Sequence, residues 1–276
     1  MDTLTLGPGD GLLHIHHPPA RPTAPTFVFV NALTGNTGAW EAVVAPALRD
    51  AGYGTLSYNF RGQDGSPFAP GTALTPGLIV EDLSHLVATL APARPIPVGL
   101  SIGGLFAAHA VLAGMRADGL VLLNTLREIG PRIAWINDAM PKLVGAGGVG
   151  LFLDAIFPLL VNQEMAAAAR PNFITEAPYT PLDPEHGHMN LMRHAASADW
   201  AIDYAALTLP TLVITGHEDR VFFEPAVVDR LYARLPDARR EDWPDTGHLI
   251  PQERPERLAE SLARFGAEIE GREAAA

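Results

Sequence analysis

The sequence predicts an α/β fold, with a mostly parallel sheet flanked by helices and interrupted once by an all-helical insertion. Short apolar runs such as Phe27-Val28-Phe29-Val30 and Leu120-Val121-Leu122-Leu123 lack polar alternation, as strands buried on both faces do. Amphipathic stretches of helical period fall between them. A strand–helix–strand rhythm of this kind implies parallel strands joined by right-handed crossovers. From Arg127 to Trp200 the rhythm stops and no strand signal occurs.

The 276 residues are enough to bury the core of one large domain, and 47% hydrophobic with 18% charged residues is the balance of a globular chain. A net charge of −12 leaves no basic field for phosphates. That argues against nucleic acid or an anionic membrane as partner, and a small-molecule substrate is expected. The lack of cysteine removes disulfides, thiolate nucleophiles and Cys-ligated metal, and fits a cytoplasmic protein. Residues 1–8 have neither a basic nor an apolar leader character, so no signal peptide is expected. The longest apolar tract, Val144 to Val161, contains Asp154, Pro158 and four glycines, which argues against a membrane span.

In chain order, Leu4–Leu6 and Leu12–His17 read as a hairpin around Gly7-Pro8-Gly9-Asp10-Gly11. His14, His16 and His17 invite a metal reading, but no further ligand cluster accompanies them and edge-strand histidines are the expectation. Phe27–Val30 is a buried strand, followed by the small-residue loop Asn31–Gly38 and a helix over Trp40–Ala51 closed by Gly52. Gly54–Phe60 is the next strand. Ile79, Leu83, Leu86, Val87 and Leu90 share one helix face. Pro95–Val98 leads into Gly99-Leu100-Ser101-Ile102-Gly103, a helix over Leu105–Ala113 follows, and Gly119–Asn124 is again a strand. Within the insertion, helices are expected over Ile133–Leu143, Leu151–Ala169 and Met189–Ala196. The apolar residues Leu151, Phe152, Leu153, Ile156, Phe157, Leu159, Leu160 and Val161 suit a pocket roof and plain packing equally well. Leu209–Gly216 resumes the strands, and Pro225 opens a helix with Val228, Leu231, Tyr232 and Leu235 on its inner face. Arg239–Trp243 is a short strand, and a last helix begins near Pro255 and ends in a tail over Gly271–Ala276.

Gly99-x-Ser101-x-Gly103 stands where a strand turns into a helix. There a very tight turn needs glycine on both sides and leaves the serine hydroxyl at its tip. A serine nucleophile needs a base in reach and an acid to orient that base. Asp219, three residues after Gly216, and His248, in the loop after the following strand, supply them in the order Ser, acid, His. Glu218 competes for the acid role, and the spacing from the strand favours Asp219. His217 precedes the acid and reads as structural, His109 as a core or surface histidine, and His186, His188 and His194 as loop histidines. Two backbone N–H groups are needed to hold an oxyanion, and Ile102 and Leu33 are the candidates. Trp40, Arg127 and Phe157 are candidate substrate-binding residues, and no metal or organic cofactor is required.

With these motifs the chain resembles the α/β-hydrolase superfamily from Phe27 to the last helix. The loop Gly216-His217-Glu218-Asp219-Arg220-Val221 contributes to that resemblance, as does Gly247-His248 with Glu253-Arg254-Pro255-Glu256 behind it. The resemblance implies an α/β-hydrolase fold, with a mostly parallel eight-stranded sheet flanked by helices. It also implies a helical cap, residues 127–200, inserted into a core of residues 1–126 and 201–276. The run Leu123-Asn124-Thr125-Leu126-Arg127-Glu128-Ile129-Gly130 is similar to 3-oxoadipate enol-lactonases. The family's usual His-Gly after the third strand is here Asn31-Ala32. Its Asp-x-Arg-Gly-x-Gly-x-Ser is Asn59-Phe60-Arg61-Gly62-Gln63-Asp64-Gly65-Ser66. The expected activity is hydrolysis of a carboxylic ester or lactone of a small to medium, partly apolar acid. Acyl transfer, C–C hydrolysis or perhydrolysis on the same triad is the alternative, and a ligand receptor on this fold is the alternative of another class.

Overall fold

Strands buried on both faces send alternate side chains to two separate cores, and these strands do so. The computed structural model describes residues 1–274. Its strands are β1 (Asp2–Gly7), β2 (Asp10–His17), β3 (Thr26–Val30), β4 (Gly54–Tyr58), β5 (Pro95–Leu100), β6 (Leu120–Leu123), β7 (Thr211–Gly216) and β8 (Ala238–Trp243). They form one sheet in the order β1-β2-β4-β3-β5-β6-β7-β8, parallel from β4 to β8. At the β1 edge, β2 runs antiparallel to both β1 and β4. Strand order reverses between β3 and β5, and their C-terminal ends open the crevice where parallel sheets place their sites.

The sheet is flanked by α1 (Gly38–Glu41), α2 (Val44–Asp50), α3 (Pro76–Leu90) and α4 (Ile102–Leu112). The insertion carries α5 (Pro131–Leu160), α6 (Gln163–Ala169) and α7 (Gly187–Ala195). Then come α8 (Pro225–Tyr232), α9 (Ile250–Glu253) and α10 (Pro255–Ala274). Val28, Val30, Leu120, Leu122 and Val213 pack on one face with Leu83, Leu86, Leu105 and Leu231. Phe27, Phe29, Val121, Leu123, Leu212 and Ile214 pack on the other with Leu48, Leu258, Leu262 and Phe265. Each side chain so buried stabilises the fold by roughly 1.5–3 kcal/mol before entropy is counted.

The structure corrects several expected boundaries. The helix expected over Trp40–Ala51 is two, because in a continuous helix the Pro46 ring would strike the carbonyl of Ala42. Val43 accordingly leaves helical geometry at φ −142°, ψ −50°. The expected helix Leu151–Ala169 also divides. Val161 turns extended, and Asn162 caps α6 by accepting the Met165 N–H at 2.8 Å. Conversely, the expected helix Ile133–Leu143 and the start of that next helix join in α5, across a kink at Gly147 and Gly148 (φ 71°). A side chain at Gly148 would run into the Thr180 carbonyl. Helix α5 is long and apolar enough to cross a membrane. It is also bent at that kink, and Val144, Phe152, Ile156 and Leu160 form a third apolar cluster with Met189, Met192 and Val221. Of the expected tail, Gly271–Ala274 continues α10, and Ala275 and Ala276 lie outside the described residues.

Candidate active site

Ser101 sits between β5 and α4 at φ 59°, ψ −121°, a strained backbone state for a residue with a side chain. Its own N–H still belongs to the sheet, donating to the Leu123 carbonyl at 2.8 Å. The glycines around it leave no room for a methyl group. At Gly99 a Cβ would strike the Gly104 backbone, at Gly103 the carbonyl oxygens of Val30 and Asn31, and at Gly104 the Thr125 side chain. The sequence motif is therefore a packing requirement between β3, β5, β6 and α4.

Asp219 leaves the end of β7 and is 2% exposed. Its Oδ1 accepts N–H bonds from Val221 (3.0 Å) and Phe222 (2.9 Å), and its Oδ2 lies 2.6 Å from His248 Nδ1. Burial alone would push this carboxyl up. The His248 charge and hydrogen bond, the Phe222 N–H and the Arg127 charge outweigh burial and hold it below the ordinary value of 3.8. Glu218 instead pairs with Arg220 at the surface. His217 stacks on Phe223 at 4.7 Å and bonds Asp242, away from Asp219.

His248 is held from three directions. Its N–H donates to the Leu160 carbonyl at 2.5 Å. Asn124 Nδ2 donates to the carbonyls of Gly247 (2.9 Å) and His248 (3.1 Å), while its Oδ1 accepts the Gly216 N–H at 2.8 Å. Buried Glu253 accepts the N–H groups of Gly247 (2.8 Å), Leu249 (2.9 Å) and Asn162 (2.8 Å). One carboxylate thus ties the histidine loop to the insertion just after α5. The sequence reading gave Asn124 and Glu253 no role. Their signals were a polar residue ending a buried strand and an acid five positions after the histidine.

The Ser101 hydroxyl does not bond His248 among the described residues. Its Oγ accepts from Arg127 Nη2 at 2.8 Å. Arg127 is 4% exposed, and its guanidinium lies over the rings of Trp200 (4.5 Å) and Phe222 (4.3 Å).

The two departures in the loops beside Ser101 are partners of each other. Asn31 Nδ2 donates to the Tyr58 carbonyl (2.9 Å), Asn59 Oδ1 (3.0 Å) and Gln63 Oε1 (2.9 Å), and its Oδ1 accepts the Trp40 indole N–H at 2.8 Å. Gln63 Nε2 in turn donates to the carbonyls of Ala32 (3.0 Å) and Leu33 (3.2 Å). These neutral amides fix the loop after β3 without a titrating group. The N–H groups of Leu33 and Ile102 have no protein acceptor among the described residues, and both residues line the cavity above Ser101.

That cavity holds about 280 Å³ and is walled by both the sheet ends and the insertion. Trp40, Arg127 and Phe157 all line it. Trp40 is almost wholly buried, stacked on Phe29 at 4.7 Å, while Phe157 stacks on Phe173 at 4.7 Å. The insertion's apolar residues divide their duties. Phe152, Leu153, Phe157 and Leu160 face the cavity, Ile156 and Val161 pack in the insertion's own cluster, and Leu159 is exposed. His186, His188 and His194 are not among the lining residues. His109 bonds the Asp199 carbonyl at 2.7 Å. No group of three or more His, Asp or Glu could hold a metal ion among the described residues.

Comparison with known proteins meets the same architecture. The chain is 26% identical over 258 residues to a Mycobacterium tuberculosis protein provisionally named non-heme bromoperoxidase BpoC, covering 90% of this chain and 95% of that one. It is 25% identical to 3-oxoadipate enol-lactonase 1 of Acinetobacter baylyi, covering 90% of each. The crystal structure of MGS-M2, an α/β-hydrolase enzyme from a Medee basin deep-sea metagenome library, superposes with a TM-score of 0.81. That pair is 19% identical, with 97% of each chain covered. The model of the alpha/beta hydrolase family matches residues 27–261, from the first doubly buried strand into the last helix. That match takes in the elbow and the loops of Asp219 and His248 alike, and the chain belongs to the α/β-hydrolase family.

Proposed function

We propose that the chain is a serine hydrolase that cleaves a carboxylic ester or lactone of a small to medium, partly apolar acid. The observation that carries this reading is the buried 2.6 Å bond between His248 and Asp219, with His248 and the strained Ser101 lining one cavity. In this reading His248 Nε2 takes the Ser101 proton as the hydroxyl attacks the carbonyl, and Asp219 holds the imidazolium that forms. The free N–H groups of Leu33 and Ile102 receive the oxyanion. A pair of such donors, preset at no cost in reorganisation, is worth several kcal/mol in the transition state. Collapse expels the alcohol, protonated by His248, and leaves an acyl group on Ser101. A water deprotonated by His248 then releases the acid. Residues 127–200 act as a cap on the core formed by 1–126 and 201–276, and Trp40, Arg127 and Phe157 line the substrate space.

The likeness to BpoC over nearly all of both chains favours a second reading, perhydrolysis, in which hydrogen peroxide replaces water at deacylation. One experiment addresses both. Purified chain is expected to turn over p-nitrophenyl esters, with short and medium acyl chains preferred over long ones because the cavity is small. Adding peroxide at saturating ester is expected to leave the acid as the main product. A folded chain that releases no p-nitrophenolate from esters of two to eight carbons would refute the ester reading. A peracid as main product would favour the second.

A further inference from the structure

Among the described residues, the cavity lining contains no Asp, Glu or Lys, and Arg127 is its one permanently charged residue. The guanidinium forms no ion pair among the described residues. Its Nη2 donates to Ser101 Oγ (2.8 Å) and to the Asn124 carbonyl (2.9 Å), and its Nε is buried without a partner among the described residues. Burial lowers its pKa to about 10, opposed by the charge of Asp219, so it remains a cation at neutral pH. A buried cation without an ion pair favours an anion that can reach it from the cavity, since buried charge is costly unless paired. The rings of Trp200 and Phe222 both lie against the planar group and add cation–π attraction to its resting place.

The second observation is where that cation rests. A guanidinium on Ser101 Oγ draws electron density from the lone pair that would attack a carbonyl. It also holds the oxygen where, among the described residues, its hydroxyl makes no bond to His248. We infer that Arg127 is a substrate-operated latch. In the empty site its guanidinium holds the Ser101 oxygen, and a carboxylate borne by the substrate's acyl chain draws it away, so that the hydroxyl can donate to His248. The substrate class is therefore a half-ester of a dicarboxylic acid, or a lactone carrying a free carboxylate. The latch involves no bond-making beyond the exchange of one hydrogen bond for a charge-assisted pair. The inference rests on the serine-hydrolase reading above.

The test compares two esters of equal chain length, mono-p-nitrophenyl glutarate and p-nitrophenyl pentanoate. Wild type is expected to prefer the glutarate in kcat/KM by roughly 10–100-fold, the value of one charge-assisted bond. In Arg127→Met, whose side chain fills the same slot, the preference is expected to vanish, with the glutarate rate falling and the pentanoate rate rising. Arg127→Lys is expected to retain part of the preference. A parallel fall for both esters in Arg127→Met would overturn the latch, because it would make the guanidinium a participant in the chemistry of any ester. A further readout needs no variant. Acetate is expected to accelerate labelling of wild type by a neutral fluorophosphonate, saturably and beyond chloride at equal ionic strength. Unchanged or slowed labelling would overturn the latch. If Ser101→Ala turned over both esters at the wild-type rate, the serine reading itself would fall. That outcome is distinct from a lost preference in an enzyme that still needs Ser101.

Discussion

Ser101→Ala is expected to lower kcat for a p-nitrophenyl ester by about a millionfold, the loss known when a triad serine is removed. The fold should survive, because what holds the elbow is its backbone and its glycines. The residue-101 N–H to Leu123 and the Thr125 hydroxyl on the residue-101 carbonyl (3.2 Å) do not involve Oγ. The guanidinium of Arg127 keeps its bond to the Asn124 carbonyl. Stopped-flow turnover beside a thermal melt separates the two effects. A melting temperature within a few degrees of wild type, with a rate fall of less than about tenfold, would place the nucleophile elsewhere.

Asp219→Asn is the second large effect, a fall in kcat of about 10⁴-fold with KM little changed. The argument turns on the N–H groups of Val221 and Phe222, which point at Oδ1 and would hold the asparagine oxygen in that place. Its amide NH₂ would then face His248 Nδ1. The imidazole would be forced to accept there and to carry its proton on Nε2, the nitrogen that must take the serine proton. Stability follows pH through the same residue. Because the Asp219 pKa is depressed in the folded chain, its stabilising contribution is complete above the unfolded value of about 3.8. It is lost as pH falls through the lower folded value. The stability difference between wild type and Asp219→Asn should therefore shrink as pH falls from about 3.8 through the depressed folded value. Urea midpoints measured at pH 7 and pH 3 check the sign.

Much of this was legible in the sequence because it is local. Phe27–Val30 and Leu120–Leu123 are apolar on both faces, and no partner had to be known to read them as central strands. Gly99 and Gly103 flank Ser101 by two positions, and Asp219 and His248 each follow their strands by a few residues. What was not legible depends on distant pairing. Asn31 and Ala32 read as a departure from the family, and so did Asn59 and Gln63. Only the fold shows that they replace one network with another, across gaps of 28 and 32 residues. Arg127 could be proposed as a cation near the site, but its bond to Ser101 depends on how Thr125 and Leu126 turn after β6. The insertion was read least well. The kink at Gly147–Gly148 and the cap at Asn162 are set by Thr180, Glu253 and the cluster around Met189, none of them near in sequence.

The central claim is that an acyl group passes through Ser101. The most direct measurement quenches steady-state turnover of a p-nitrophenyl ester in acid and maps the added mass on proteolytic peptides. The acyl mass is expected on the peptide carrying Ser101 and to be absent from Ser101→Ala. Product formation with the acyl group on another side chain, or with no acylated chain under conditions where deacylation limits turnover, would contradict it.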